Sequence, residues 1–443
     1  MKRPVTLATL CLLIFAAVHT PDAFSYTTNS TVPLAGGCPQ PNRWNLTLAS
    51  PLNRRWSTSL PLTSTTILTV AAQGTPAQLN EIEQSISDSF EAWTGMPGTT
   101  FNTAAHPGFI APLARITAAN SCTNDQQSNA DGLNTICFNQ SSAAFTTGVL
   151  AFTRVITANA PGVSIGSSAP AAFAGQILDA DTLFRNDSQA TYATPAALAT
   201  PQGQGAYDLE SLLAHELGHW FGLDHSAVWR ALMFPYAPPP GQFLGDRLTA
   251  QAPDGPLSDD DRAGIGSLYP DPADPVNIGA ISGQILPANP FALANIPAPA
   301  TGSFVTGIFG AQVVAVDADT GSVIAATLGG WSCDTASQQL QFDGSYEISR
   351  LPLNHNYKIY VEPLEGLVTP ANLSDPSQAS AARHQRPPAP HLPQTQISTP
   401  APAPRHPDSP AEFPQNKSGS RGEREPLGVL RGKLFLLRRQ HDL

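Results

Sequence analysis

The sequence predicts an α+β protein. It has a larger unit of helices and strands, a smaller all-β unit, and a tail that does not fold by itself. Three observations lead there. Three stretches before residue 270 combine helix-start signals with apolar spacing of three and four, and short β-branched runs lie between them. Residues 276–366 hold "GAISGQIL", "GAQVVAVDADTGSVIAATL" and "GSYEISRLPLNHNYKIYVEPL", β-rich runs broken by Asp-Thr-Gly and Asp-Gly-Ser turns, which reads as a small antiparallel sandwich. From about Thr369, Pro, Ser, Ala and Gln dominate, so residues 367–443 read as a Pro-rich disordered tail that buries too little apolar surface to fold.

At the N-terminus, Lys2 and Arg3 precede an apolar core from Thr6 to Val18, and Ala23-Phe24-Ser25 is a small-x-small cleavage site. Residues 1–25 therefore read as a secretory signal peptide. The apolar run is too short for a membrane span, although an N-terminal anchor is the alternative. No later segment reaches about 18 apolar residues, so the expected mature chain is secreted or periplasmic, monomeric, and without stable membrane insertion. Lys and Arg total 23 against 34 Asp and Glu, a formal charge of -11. The balance is uneven: residues 379–443 carry 10 basic and 5 acidic groups, a net +5, which leaves -16 on the rest. An acidic body argues against nucleic acid as a partner, because phosphate binding needs a basic surface.

Export implies an oxidising compartment, where cysteines pair. Cys38, Cys122, Cys137 and Cys333 remain after cleavage. Cys122 and Cys137 flank a turn-rich stretch, so a local bridge is the preferred pairing. Cys38 and Cys333 are left free or paired, since sequence does not fix connectivity.

Residues 26–55 are polar and irregular. "STTILTVAAQ" reads as a strand. "TPAQLNEIEQSISDSFEAW" reads as a helix with Thr75 as N-cap and Pro76 in the first turn. Leu79, Ile82, Ile86, Phe90 and Trp93 make one apolar stripe along it. "LNTICF", "GVLAFTRVI" and "GQILDADTLF" are the clearest strands that follow. The last puts Asp179 and Asp181 on one face, either solvated or holding calcium, so Ca2+ is a candidate second ion. "AYDLESLLAHELGHWFGL" is the second helix, capped by Asp208 and ended by Gly222. "LSDDDRAGIGSLYP" is the third, with Ser258 as cap and Asp259, Asp260 and Asp261 in the first turn, where negative charge suits the helix dipole.

The chain has ten histidines, and three of them lie in "AHELGHWFGLDHS". His215 and His219, four apart on a helix, project from one face and can share a metal ion. Gly222 lets the chain turn back, so His225 can supply a third nitrogen. Glu216 sits beside the first ligand, placed to act on a water. Three neutral nitrogens with one open position describe catalytic rather than structural zinc. Zinc acidifies water and polarises a carbonyl, and a carboxylate takes the proton. A bare H-E-x-x-H occurs by chance in unrelated helices, but H-E-x-x-H-x-x-G-x-x-H fixes two further positions.

"HELGHWFGLDHS" followed by "ALMFPY" resembles the metzincin metalloproteases, and within them the matrixin (matrix-metalloproteinase-like) branch of bacterial type. The likeness covers residues 56–270, most strongly from Ala206 onward. It implies a metzincin-type domain with a twisted, mostly parallel five-stranded sheet and three main helices. It implies His215, His219 and His225 as ligands of one Zn2+, Glu216 as general base, and Met233 as the residue of a methionine turn that supports the site. It implies a protein or peptide substrate that adds a strand to the sheet edge, and "ILDADTLF" is the expected edge. Tyr236 is a candidate oxyanion stabiliser, with a packed aromatic as the alternative.

Three features depart from the animal members. No histidine lies between His106 and His215, so a second, structural zinc is not expected. The segment before the domain is too short for the helical prodomain. Cys38 in "GGCPQPNRW" matches the latency motif poorly. The end of the 276–366 unit resembles carboxypeptidase-regulatory, transthyretin-like domains, which implies an accessory role. The sequence thus implies a secreted zinc endopeptidase. The competing reading is a secreted adhesion or binding protein with an inactive protease-like domain, against which the intact Glu216 argues.

Overall fold

The structure is a computed structural model, and it describes residues 28–31, 33–35, 37–47, 52–57, 67–102, 110–116, 131–140, 145, 148–166, 168–186, 190–229, 231–242, 257–271, 278–289, 306–308, 310–334, 336–362 and 394–398. The larger unit contributes strands β1 (Arg55–Ser57), β2 (Ala114–Ile116), β3 (Thr135–Gln140), β4 (Val149–Thr157) and β5 (Ile177–Arg185). Its helices are α1 (Pro76–Thr94), the single turn α2 (Pro195–Leu198), α3 (Leu209–Trp220) and α4 (Asp259–Leu268). The C-terminal part holds β6 (Ile278–Gln284), β7 (Ala311–Asp317), β8 (Val323–Gly329), β9 (Ser332–Asp334), β10 (Gln339–Gln341), β11 (Ser345–Pro352), β12 (Tyr357–Glu362) and a tail strand, β13 (Gln394–Ser398).

The helices start where side chains can satisfy open backbone donors. Thr75 accepts from Gln78 N–H at the start of α1, and Asp208 accepts from Ser211 N–H at the start of α3. Ser258 and Asp261 form a reciprocal capping box on α4. The stripe on α1 buries as its spacing predicts: Ile82, Ile86, Phe90 and Trp93 are enclosed, and Leu79 is partly so. They meet Leu213, Leu217 and Trp220 of α3 in one core with Trp56, Ile136, Phe138, Leu150 and Phe184 from the sheet. Each large apolar side chain removed from water there contributes roughly 1.5–3 kcal/mol. Trp93 Nε1–H donates to Ala214 O at 2.8 Å, which fixes α1 against the middle of α3.

The sheet runs β13-β4-β5-β3-β1-β2. β2, β1, β3 and β5 are parallel, and β4 is antiparallel to β5. Five strands of the larger unit, β1 to β5, share one sheet, which is mixed. Two expectations change. β5 is not the edge: it lies between β3 and β4, and the outermost strands that the larger unit contributes are β4 and β2. Nor is the Asp179/Asp181 face solvated, because every residue of β5 is buried. An interior strand covered on both faces cannot show a wet side. Asp181 Oδ2 instead takes Arg154 Nη2 from β4 at 2.6 Å, and Asp181 Oδ1 accepts from Thr135 N–H. Burial pushes the Asp181 carboxyl up, and Arg154 opposes that shift.

The polar N-terminal segment is part of this unit. Asn29 N–H donates to Gly222 O, Asn29 Nδ2–H to Leu223 O, and Trp44 Nε1–H to Trp220 O, all within 3.0 Å. These contacts, with Tyr269 OH donating to Phe221 O at 2.7 Å, satisfy carbonyls where α3 ends.

In the C-terminal part, β6 pairs with β11, β8-β7-β12 form a second antiparallel sheet, and β9 pairs with β10. Ile285, Val313, Ala315, Ala325, Ile348 and Leu351 share a core that also takes in Ala263 of α4. Cys38 and Cys333 are disulfide-bonded across 295 residues, with Cα atoms 5.6 Å apart. That resolves the open pairing of these two cysteines, and it ties the N-terminal segment to the C-terminal part. Cys137 is also disulfide-bonded. Cys122, the partner preferred from sequence, lies outside the described residues. Within the described residues of the tail, β13 joins the sheet of the larger unit beside β4.

Candidate metal centre

α3 carries the motif, and it is buried along nearly its whole length. His215, Glu216 and His219 are fully enclosed, and His225 is buried. Helical spacing brings His215 Nε2 and His219 Nε2 within 3.2 Å. α3 ends at Trp220, and Gly222 follows with φ +104°. That backbone suits glycine, and a Cβ there would overlap Asn42 O. The reversal returns His225, whose ring centroid is 5.3 Å from that of His215 and 4.9 Å from that of His219. One nitrogen from each ring lies within 4.8 Å of the others.

The tautomers follow from the hydrogen bonds. His215 Nδ1 lies 2.6 Å from Leu232 O, and His219 Nδ1 lies 2.8 Å from Leu223 O. A carbonyl can only accept, so each Nδ1 carries the proton and each Nε2 offers its lone pair. Two nitrogens of a tetrahedral zinc at ~2.1 Å stand about 3.4 Å apart, close to the observed separation. Burial pushes both imidazoles well below their usual pKa, with the charge of His225 adding to the shift, so both are neutral. The donor set therefore fits Zn2+.

Burial also pushes Glu216 well above the usual carboxylate range, and a hydrogen bond from Thr153 opposes the shift. Thr153 is on β4, and its Oγ1 lies 2.8 Å from Glu216 Oε2. Glu216 Oε1 is buried and has no hydrogen-bond partner among the described residues. One oxygen is thus held by β4, and the other is buried without a hydrogen-bond partner.

The turn that carries Met233 packs against α3. Met233 is buried in the main core, and Gly218 leaves the room its sulfur fills. Leu232 N–H and Met233 N–H donate to Asp261 Oδ2 and Oδ1 at 2.7 and 3.0 Å. Asp261 therefore holds the turn whose Leu232 carbonyl orients His215. Asp260 Oδ2 accepts from Ser226 Oγ–H at 2.6 Å, next to His225, and its Oδ1 accepts from Ala326 N–H of β8 at 2.7 Å. The sequence gives the acidic turn of α4 and its cap, but not these partners, which are up to 66 residues away. Thr153 carries no signal of its role, because it reads as one more β-branched strand residue. Tyr236 packs beside Phe234, 6.0 Å between ring centroids, with Leu328 of β8 in the same cluster.

Residues 159–270, which include the three histidines, Met233 and α4, match the family model of the matrixins. Metalloendoproteinase 1 of Glycine max is 41% identical over 64 residues, 14% of this chain. The match covers 17% of that relative's own length.

Proposed function

We propose that this chain is an exported, zinc-dependent endopeptidase, with His215, His219 and His225 as the zinc ligands and Glu216 as the general base. One observation carries the reading: two lone-pair nitrogens 3.2 Å apart, oriented by backbone carbonyls, beside a buried carboxyl with one unpartnered oxygen. The matrixin match over the same residues supports it.

A zinc ion in this site supplies Lewis acidity toward water and the substrate carbonyl. The chain supplies the rest. A cation held by the three histidines would favour the ionised form of Glu216 against its burial, and Glu216 Oε1 would then take a proton from the attacking water and deliver it to the leaving amine nitrogen. Thr153 holds Oε2, so the other oxygen faces the reaction. Met233 and Asp261 fix His215 from below. A peptide lies along β4 as an added strand, which aligns its carbonyl without ordering a separate loop.

The test compares the full chain with Glu216→Gln. Bound zinc per chain and cleavage of unfolded casein are measured with and without a chelator. One zinc in both proteins, with chelator-sensitive cleavage in the unsubstituted chain alone, supports the proposal. Zinc binding without cleavage in either would favour the binding-protein reading. Absence of zinc in both would overturn the ligand assignment.

A further inference from the structure

We propose that the open edge of β4 is a strand-docking surface whose resident occupant is the chain's own tail, residues 394–398, and that the docked tail competes with peptides. The inference rests on the proposed function only in naming what is excluded. The docking itself stands on the sheet.

An edge strand presents a row of unpaired N–H and C=O groups, which either stay wet or take another strand. Here β13 takes them. It runs antiparallel to β4, with Gln394 opposite Arg154, Thr395 opposite Thr153, Gln396 opposite Phe152, Ile397 opposite Ala151, and Ser398 opposite Val149 after an irregular step. Position 153 is where β4 reaches Glu216. The tail therefore crosses the sheet edge opposite the residue that holds the candidate base. A single edge offers its backbone groups to one strand at a time, so a docked tail and a docked peptide exclude each other.

The sequence fits this occupant. Gln394 to Thr399 is a proline-free run bounded by Pro393 and Pro400, in a tail otherwise dense in proline. Proline cannot donate to a ladder, so pairing is confined to this run. The basic tail is drawn to an acidic body, +5 against -16. The 31 residues between Glu362 and Gln394 act as a tether. Covalent linkage over that length gives an effective concentration of order millimolar, enough to seat a weakly binding strand in cis.

The experiment uses the full chain, the full chain with Gln396→Pro and Ile397→Pro, and both again with Glu216→Gln. The two prolines fall on neighbouring positions, so whichever N–H faces β4 is removed. Hydrogen exchange of residues 149–157 reports docking without any need for activity. The synthetic peptide of residues 392–400 is then added in trans. We expect exchange in this segment to speed up at least tenfold in the proline variant, to be restored by millimolar peptide, and to be independent of chain concentration. With active chains, the proline variant should show a KM for casein peptides about tenfold lower, with kcat unchanged, and the peptide should inhibit it competitively. Equal exchange in both chains, or no protection by the peptide, would overturn the docking. Protection that rises with chain concentration would assign the strand to a second copy. Faster exchange with an unchanged KM would overturn the competition. If no form cleaves casein, the protease reading fails while exchange still decides the docking.

Discussion

Thr153 Oγ1 of β4 lies 2.8 Å from Glu216 Oε2 and 3.0 Å from the Glu216 backbone carbonyl, so one hydroxyl couples the edge of the sheet to the middle of α3. Thr182 Oγ1, 2.9 Å away on β5, can donate to the same oxygen and leave the Thr153 proton for the carboxylate. Thr153→Val keeps the shape and removes the bond. A hydrogen bond to a charged group is worth about 1.5–3 kcal/mol, and 1.4 kcal/mol is tenfold. We expect kcat to fall about tenfold or more, with KM and bound zinc unchanged, and Thr153→Ser to restore it. Equal loss in the Ser and Val variants would show that the hydroxyl has no such role.

Gly218 faces Met233 across α3. A Cβ at this position would overlap the Met233 sulfur and lie 2.9 Å from Trp93 Cζ2. Both neighbours are buried in the main core. Overpacking of this kind costs about 1–3 kcal/mol. Gly218→Ala should lower the midpoint of denaturant unfolding and weaken zinc retention, because Met233 belongs to the turn that orients His215. An unchanged midpoint would mean that the turn yields freely.

Asp260 gives the fold a pH dependence. Burial, with the Asp261 charge adding to it, pushes its carboxyl up to about 7, above the value in the unfolded chain. The folded state therefore holds this proton more tightly than the unfolded state. Its stabilising effect is full at low pH and is lost as pH rises through about 7. Between pH 4 and 7 the loss approaches about 1.4 kcal/mol per unit. Stability measured across pH 4 to 8 should fall along this slope up to about pH 7 and level off above it, and Asp260→Asn should flatten the fall. A slope unchanged in the Asn variant would place the titration elsewhere.

The Cys38–Cys333 bridge closes a very long loop between the segment that caps α3 and the C-terminal part. Replacing both cysteines by serine removes the cross-link without leaving a free thiol. Removing a native bridge typically costs about 2–5 kcal/mol. The double variant should melt at lower temperature than the unreduced chain. The two should melt alike once a reductant is present, and a persistent gap would point to packing rather than the cross-link.

Local patterns determined the parts of this protein. Thr75, Asp208 and Ser258 announce three helices, because a capping side chain acts within three residues of its own backbone. The apolar stripe of α1 and the short strand runs mark what must be buried. The motif from His215 to His225 is legible as a ligand set, because helical geometry and one glycine fix all three rings relative to each other. What stayed hidden depends on which strands become neighbours. Asp179 and Asp181 read as a wet face until β4 and β13 lie outside β5, since alternation states which residues share a face but not what covers it. Asp260 and Asp261 read as dipole partners until α4 packs under the methionine turn. Cys38 meets Cys333 through the packing of the C-terminal part against the larger unit. The tertiary structure alone decided the edge, the bridge and the supports of the site, because each joins residues too far apart in the chain for a local pattern to record.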